Sequence, residues 1–398
     1  MRSPGKPRLA LTLALLAVAW TAWQAPRPGA PAFALPAPLP ASPLPEPRQA
    51  AHFASRLLPL AAASAHAASL AQLQDGTLLI AWFAGRSEGA EDVAIYLSRL
   101  EKEGWSLPRT LASRPETARQ LRRHLRKLGN PVLHVDTRGR LHLFFVSVSL
   151  GGWAGASINH KFSDDGGLHW SPAVKLTTTP FFNLGTLVRN PPLDLQDGGL
   201  GLPAYHEFIA KQGEWLRLDA QGRIVDKVRM PHPRDTLQPT LAALDEQRAL
   251  ALLRDAGPGP GHVQAVSSQD AGLSWKRAAT LPIPHANASM ALLRLSDGKL
   301  LLAGNPGSGR TSLLLYLSRD QGQNWQALGA VETGREADGK EAEFSYPSLL
   351  QASNGDIHLA YTWRRRSIRH VTFNPAWLAA RAQGDITQPA IPAAEDGP

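Results

Sequence analysis

Along much of the chain a short turn of Asp, Asn, Gln or Ser with Gly is followed by a strand of mainly apolar side chains. Gln74-Asp75-Gly76 precedes LLIAWF, Thr137-Arg138-Gly139 precedes LHLFF, and Gln196-Asp197-Gly198 precedes LGLPAY. Ser296-Asp297-Gly298 then leads into LLLAG and Ser353-Asn354-Gly355 into IHLAY, while Asp245-Glu246-Gln247 before ALALL lacks the glycine. Such runs, bounded by turn residues, predict strands joined by tight hairpins. Positions 76, 139, 198, 247, 298 and 355 lie 63, 59, 49, 51 and 57 residues apart. Six units of that length fit the four-stranded antiparallel blades of an all-β, six-bladed β-propeller. Helical periodicity competes only at Glu116 to Leu128, which reads as a basic helical loop in the first blade.

A second repeat is independent of the first. Ser163 to Trp170, Ser268 to Trp275 and Ser318 to Trp325 each fit S-x-D-x-G-x-x-W, and Ser98 to Trp105 keeps only the Ser-to-Trp spacing. The pattern has the mechanics of a hairpin. The Asp carboxylate accepts backbone N–H bonds, Gly supplies a positive φ, and Trp packs between neighbouring sheets. Asp165, Asp270 and Asp320 are therefore expected to be structural.

Composition agrees: 34 Gly, 33 Pro and 11 Trp suit many short strands. With no cysteine, disulfides and thiolate metal sites are excluded. The net charge of +9 is diffuse, densest at Arg122, Arg123, Arg126 and Lys127, and suits acidic ligands. No nucleic-acid-binding signature is present, so nucleic acid is not an expected partner. Histidine spacing offers no metal motif, and none of the chemistries considered below requires a cofactor.

The N-terminus points to export. Arg2, Lys6 and Arg8 precede an uncharged, mainly apolar run of 15 residues, Leu9 to Trp23, and Ala32-Phe33-Ala34 offers a small-x-small cleavage site. Residues 1–34 thus read as a signal peptide or, uncleaved, as an inner-membrane anchor. Residues 35–50 read as a Pro/Ala-rich linker, 51–380 as the propeller and 381–398 as a flexible tail. A periplasmic or secreted location follows; oligomeric state is not legible.

Topology places the candidate chemistry. If the Gly turns join inner strand A to strand B, and the Ser-to-Trp motifs join C to D, both lie on one face. The opposite face carries the starts of strand A and the ends of strand B. Counting back from each turn, the starts are His66, Asn130, Asn190, Gln238, Asn287 and Tyr346. The ends hold Arg86 and Glu88, Phe145, Tyr205-His206-Glu207, Arg254-Asp255, Asn305, and Tyr361-Trp363-Arg364. Several arginines converging on a concave face favour an anionic ligand.

The Ser-to-Trp motifs resemble the Asp-boxes of the sialidase superfamily, and residues 60 to 378 resemble its sialidase-like members with neuraminidase repeats. The resemblance implies an Arg triad for a substrate carboxylate, a Tyr nucleophile with a Glu partner, and an Asp acid/base. Glu343-Phe344-Ser345-Tyr346-Pro347 resembles the nucleophile segment and gives Tyr346 that role. Arg254 and Arg310 resemble the second and third triad arginines. Ala84-Gly85-Arg86-Ser87-Glu88 to Asp92 resembles the acid/base loop, with Glu88, Glu91 or Asp92 as the acid. Two positions depart: His66 stands where the first triad Arg is expected, and Gln238 where the nucleophile's Glu is expected. Gln cannot take a proton, so Glu207 or Glu343 is the substitute.

Three functions remain open. In a hydrolase of an acidic sugar, Arg254, Arg310, Arg364 and Arg86 bind the carboxylate, Tyr346 attacks, and Glu88 or Asp92 protonates the leaving oxygen. A uronate lyase would use His66 with Tyr205 or Tyr346 as base and acid. The third is a non-catalytic propeller that binds acidic glycans.

Overall fold

The computed structural model describes residues 11, 12, 16, 31–35, 50–179, 183–307, 309–336, 339–385 and 391. The apolar N-terminal run, most of the linker and most of the tail lie outside them. Among the described residues no helix is long and apolar enough to cross a membrane.

Six antiparallel sheets form the ring. In blade 1, strand A is Ser64–Gln72, B is Leu78–Gly85 and C is Ala94–Glu101, with Gly104–Trp105 and Arg109–Ser113 outermost. Blade 2 is Lys127–Val135, Leu141–Val148, Ala156–Ser163 and Val174–Lys175. Blade 3 splits its inner strand into Thr186–Val188 and Leu193–Asp194, followed by Leu200–His206, Gln212–Leu218 and Ile224–Met230. Blade 4 is Thr236–Ala243, Ala249–Asp255, Gln264–Ser268 and Lys276–Arg277. Blade 5 is Ala291–Arg294, Leu300–Gly304, Ser312–Ser318 and Gln326–Thr333.

Blade 6 takes three strands from the C-terminal end, Phe344–Gln351, Ile357–Trp363 and Ser367–Phe373. Its outer strand is Phe53–Leu57, paired from Phe53↔Phe373 to Leu57↔Arg369. The first strand among the described residues therefore closes the ring.

The expected turns are where topology put them. In the Ser-to-Trp motifs Ser163, Ser268 and Ser318 donate to Asp165, Asp270 and Asp320 at 2.7, 2.8 and 2.8 Å. The same aspartates accept the N–H of His169, Ser274 and Asn324 at 2.9, 2.8 and 2.8 Å. Gly167, Gly272 and Gly322 stand at φ +86, +87 and +91°. Trp170, Trp275 and Trp325 pack into three different inter-blade clusters.

The core is divided among the seams. Six apolar clusters fill the gaps between neighbouring blades. Hydroxyls stitch the inner strands together: Ser69 accepts the Leu133 N–H at 2.9 Å, Thr240 that of Leu292 at 2.8 Å, and Ser348 that of Leu70 at 3.1 Å. The basic insertion holds a helix only over Arg114–Leu121, capped by Ser113, and then turns into strand A of blade 2.

The packed structure passes both expected limits. Phe33, read above as part of a cleavage site, is fully buried in the seam of blades 3 and 4, against Trp215. Its N–H donates to Glu246 O at 2.8 Å, and Ala34 N–H to Asp194 O at 2.9 Å. At the other end, helix Pro375–Gln383 buries Trp377, Leu378 and Arg381. Ile391 is also buried, its N–H donating to Val331 O.

Candidate active site

The face opposite the Asp-boxes is built on a recurrent backbone fault. Strand A breaks register with strand B between His66 and Ser69, Gly129 and Val132, Leu237 and Thr240, and Ser345 and Ser348. At each break one residue takes a left-handed conformation: Ala67 at φ +56°, Asn130 at +46°, Gln238 at +48° and Tyr346 at +55°. Four such non-glycine residues around one axis mark a site where strain is tolerated for position. His66 precedes the left-handed residue, whereas Asn130, Gln238 and Tyr346 occupy it. The assumption that these four stand at equivalent positions is therefore off by one residue for His66.

Tyr346 lies at the centre. Arg254 Nη1 donates to its hydroxyl at 3.3 Å and to Gln238 Oε1 at 2.9 Å. The other edge of Arg254, Nε, donates to Asn287 Oδ1 at 2.5 Å. Arg310 lies 5.5 Å from the Tyr346 ring centre and Arg189 5.3 Å. The His66 ring is 4.2 Å from the Tyr346 ring, with its Nδ1 3.0 Å from Thr362 Oγ1. Burial, then the Arg365 charge, hold His66 well below the ordinary histidine value, so it is neutral.

Glu343 anchors the cations. Its Oε1 accepts from Arg310 Nη1 at 3.1 Å and Ser345 Oγ at 2.5 Å, and its Oε2 from Arg365 Nε at 2.5 Å. Burial alone would raise its carboxyl, but the Arg365 and Ser345 bonds and the Arg365 charge hold it down to about 2. A carboxylate so occupied positions arginines and makes a poor base. Arg365 Nη1 also reaches Glu88 Oε2 at 2.5 Å, so Glu88 is tied up as well.

Glu207 differs. Burial raises its carboxyl above the ordinary value, with the Arg254, Lys211 and Lys127 charges pulling the other way. Its neighbour Tyr205 is buried, its hydroxyl accepting from Asn130 Nδ2 at 3.2 Å and Gln238 Nε2 at 3.4 Å. Burial and then the Glu207 charge raise the Tyr205 phenol far above the ordinary value. Asp92 Oδ2 accepts the Arg86 N–H at 2.9 Å and so fixes the loop after strand B of blade 1.

The structure thus gathers Tyr346, His66, Gln238, Tyr205, Arg254 and Arg310 around one point, with Glu207, Glu88 and Asp92 on the same face. Two expected arginines do not join them. Arg86 is an exposed loop residue whose contact is through its backbone. Arg364 lies over the Trp363 ring and pairs with Glu336 at 3.8 Å, and its neighbour Arg365 turns inward instead.

Arg189 is the residue that sequence reasoning missed. It is 2% exposed and donates through Nη2 to the backbone oxygens of Tyr346 and Pro347 at 2.7 and 3.1 Å. Burial lowers its guanidinium to about 10, with Tyr346 and Tyr205 as its opposing influences, so it stays cationic. It makes no ion pair among the described residues, a costly state for a buried charge. Its signal was present: it stands two residues before Pro191, as His66 stands two before Ala68.

The comparisons agree with this architecture. Residues 76–359 match the model of the BNR repeat-like domain. No curated protein sequence matches the chain. Among solved structures, a Hadza microbial sialidase superposes with a TM-score of 0.63 at 16% identity, over 78% of this chain and 65% of that one. The leech intramolecular trans-sialidase, solved with 2,7-anhydro-Neu5Ac, gives 0.63 at 13% identity, over 82% and 69%. An α-L-arabinofuranosidase of Fusarium graminearum gives 0.55 at 14% identity, over 78% and 92%. At these identities the likeness is one of fold. The family match spans most of the chain: it belongs to the BNR repeat-like domain family, as a sialidase-like six-bladed propeller.

Proposed function

We propose that the chain is an exported glycoside hydrolase acting on a carboxylate-bearing sugar of a glycan. The observation that carries this reading is Tyr346, a strained left-handed tyrosine with Arg254 on its hydroxyl and Arg189 and Arg310 beside its ring. Arg254, Arg310 and Arg365 receive the substrate carboxylate, and Glu343 sets the last two in place. The Tyr346 oxygen attacks the anomeric carbon, and its proton goes to Glu207, the carboxylate whose raised value suits a base. The leaving oxygen takes a proton from the loop carboxyl of Asp92, and water then releases the sugar from Tyr346. The similar structures named as sialidases, a trans-sialidase and an arabinofuranosidase support glycosidic chemistry. The export reading rests on the basic and apolar N-terminal run alone.

A second reading is elimination on a uronate glycan, favoured by neutral His66 packed on Tyr346 at 4.2 Å. Product analysis separates the two. The purified protein is incubated with a panel of acidic glycans, following reducing sugar and the unsaturated-uronate absorbance together. Reducing sugar without absorbance supports hydrolysis. New absorbance replaces it with elimination, and binding without either product supports a glycan-binding propeller.

A further inference from the structure

The seam between blades 3 and 4 opens into a cavity of about 510 Å³. Its walls include Lys211, Arg229, Arg234 and Arg277, and Asp235 is its single acidic lining residue. Arg234 is neutralised by Asp255, with Nε at 2.8 Å from the carboxylate. Lys211, Arg229 and Arg277 make no ion pair among the described residues. Four exposed cations beside turns elsewhere in the ring are paired: Arg138 with Asp136, Arg223 with Asp219, Arg248 with Asp245 and Lys299 with Asp297. Three unpaired cations round one concavity repel one another unless an anion lies between them. His232 adds a ring Nε2 that is buried without a hydrogen-bond partner.

Two of the cavity's lining residues act on elements of the central site. Lys211 follows Glu207 by four residues and its charge acts on that carboxyl. Arg234 Nη2 donates to Pro258 O at 2.8 Å, in the loop after Arg254-Asp255. That loop and Asn287, the partner of Arg254, line a further cavity of about 680 Å³. Its titratable lining residues are Asp255, His262 and His285, and Asp255 is already bonded to Arg234. The face thus offers a cationic centre, a largely uncharged hollow at blades 4 and 5 and a further cationic pocket at blades 3 and 4.

We propose that Lys211, Arg229 and Arg277 form an anion subsite for a second acidic group on the same glycan, so that the substrate is an oligosaccharide with repeated negative charge. The inference rests on the hydrolase reading for its substrate, but not for its test. Arg229→Gln/Arg277→Gln alters two exposed residues that take no part in the central site. Turnover is compared on a monomeric acidic-sugar aryl glycoside and on acidic oligosaccharides bearing carboxylates or, separately, sulfates. The double variant is expected to lose about tenfold in kcat/KM on the charged oligosaccharides, with the aryl glycoside unchanged and the difference shrinking at high salt. Whichever series shows the loss identifies the anion. Equal rates on both substrate types, or equal losses on both, overturn the subsite. If no substrate turns over, calorimetry with the same oligosaccharides decides: the subsite stands if the wild type binds them more tightly than the double variant, and falls if the two bind alike.

Discussion

The two faces of the propeller follow opposite rules. On the Asp-box face one solution is repeated: three Ser–Asp pairs, three Asp–amide bonds and three positive-φ glycines agree within about 0.1 Å and a few degrees. On the other face the backbone fault recurs, but the residue that occupies it changes from Ala67 to Asn130, Gln238 and Tyr346. Repetition serves folding, because each blade needs the same hairpin. Variation on a shared backbone serves chemistry, because a single ligand meets each blade from a different side.

That contrast can be broken at several points. The largest effect is expected from Tyr346→Phe, with a loss of turnover on the order of 10³-fold or more and an unchanged unfolding temperature. A variant that unfolds instead would make the left-handed tyrosine a structural element. On the opposite face, Phe33→Ala is expected to cost about 3–5 kcal/mol in denaturant unfolding while leaving kcat intact, because it empties the seam beside Trp215. Asp270→Ala should cost about 1–3 kcal/mol, again without touching kcat, since it orphans Ser268 and the Ser274 N–H. Altered substrate preference in a folded Asp270→Ala would collapse the division between the faces.

The smallest effect concerns pH. His160 and His370, each hydrogen-bonded to a second histidine, are lowered by burial to about 3. Their folded values lie below the unfolded one, so the unfolded chain takes up protons first on acidification. Stability is whole above pH ~6.5 and falls below it, at pH ~6 by at most about 0.8 kcal/mol per histidine. A flat unfolding temperature between pH ~7 and ~5 would contradict these buried neutral pairs.

The repeating face was legible in the sequence because its interactions are local: Ser, Asp, Gly and Trp lie within eight residues of one another. The varied face was only partly so. Counting from the turns placed Arg254, Tyr346 and Gln238 and the family resemblance added Arg310, but counting failed wherever the backbone leaves the regular strand. A bulge of one residue separates His66 from the position expected for it. Arg364 and Arg365 both take left-handed conformations at φ +51 and +53°, so alternation cannot tell which of them points inward. Arg189 and Phe33 depend on partners more than 150 residues away, which no local pattern reports.

The closure of blade 6 also sets an order of events. Its outer strand is among the first parts of the propeller to be synthesised, but its partner, Ser367–Phe373, is among the last. Pairing Phe53 with Phe373 closes a loop that spans nearly the whole ring, a non-local step that waits for the C-terminal strand. Until then blade 6 presents a bare strand edge, and Phe53–Leu57 lacks its sheet. A nascent chain held before residue 367 should therefore behave as an open arc, prone to pairing with a second copy. Completion of the C-terminal strand is the kinetic event that turns five stacked blades into a closed ring.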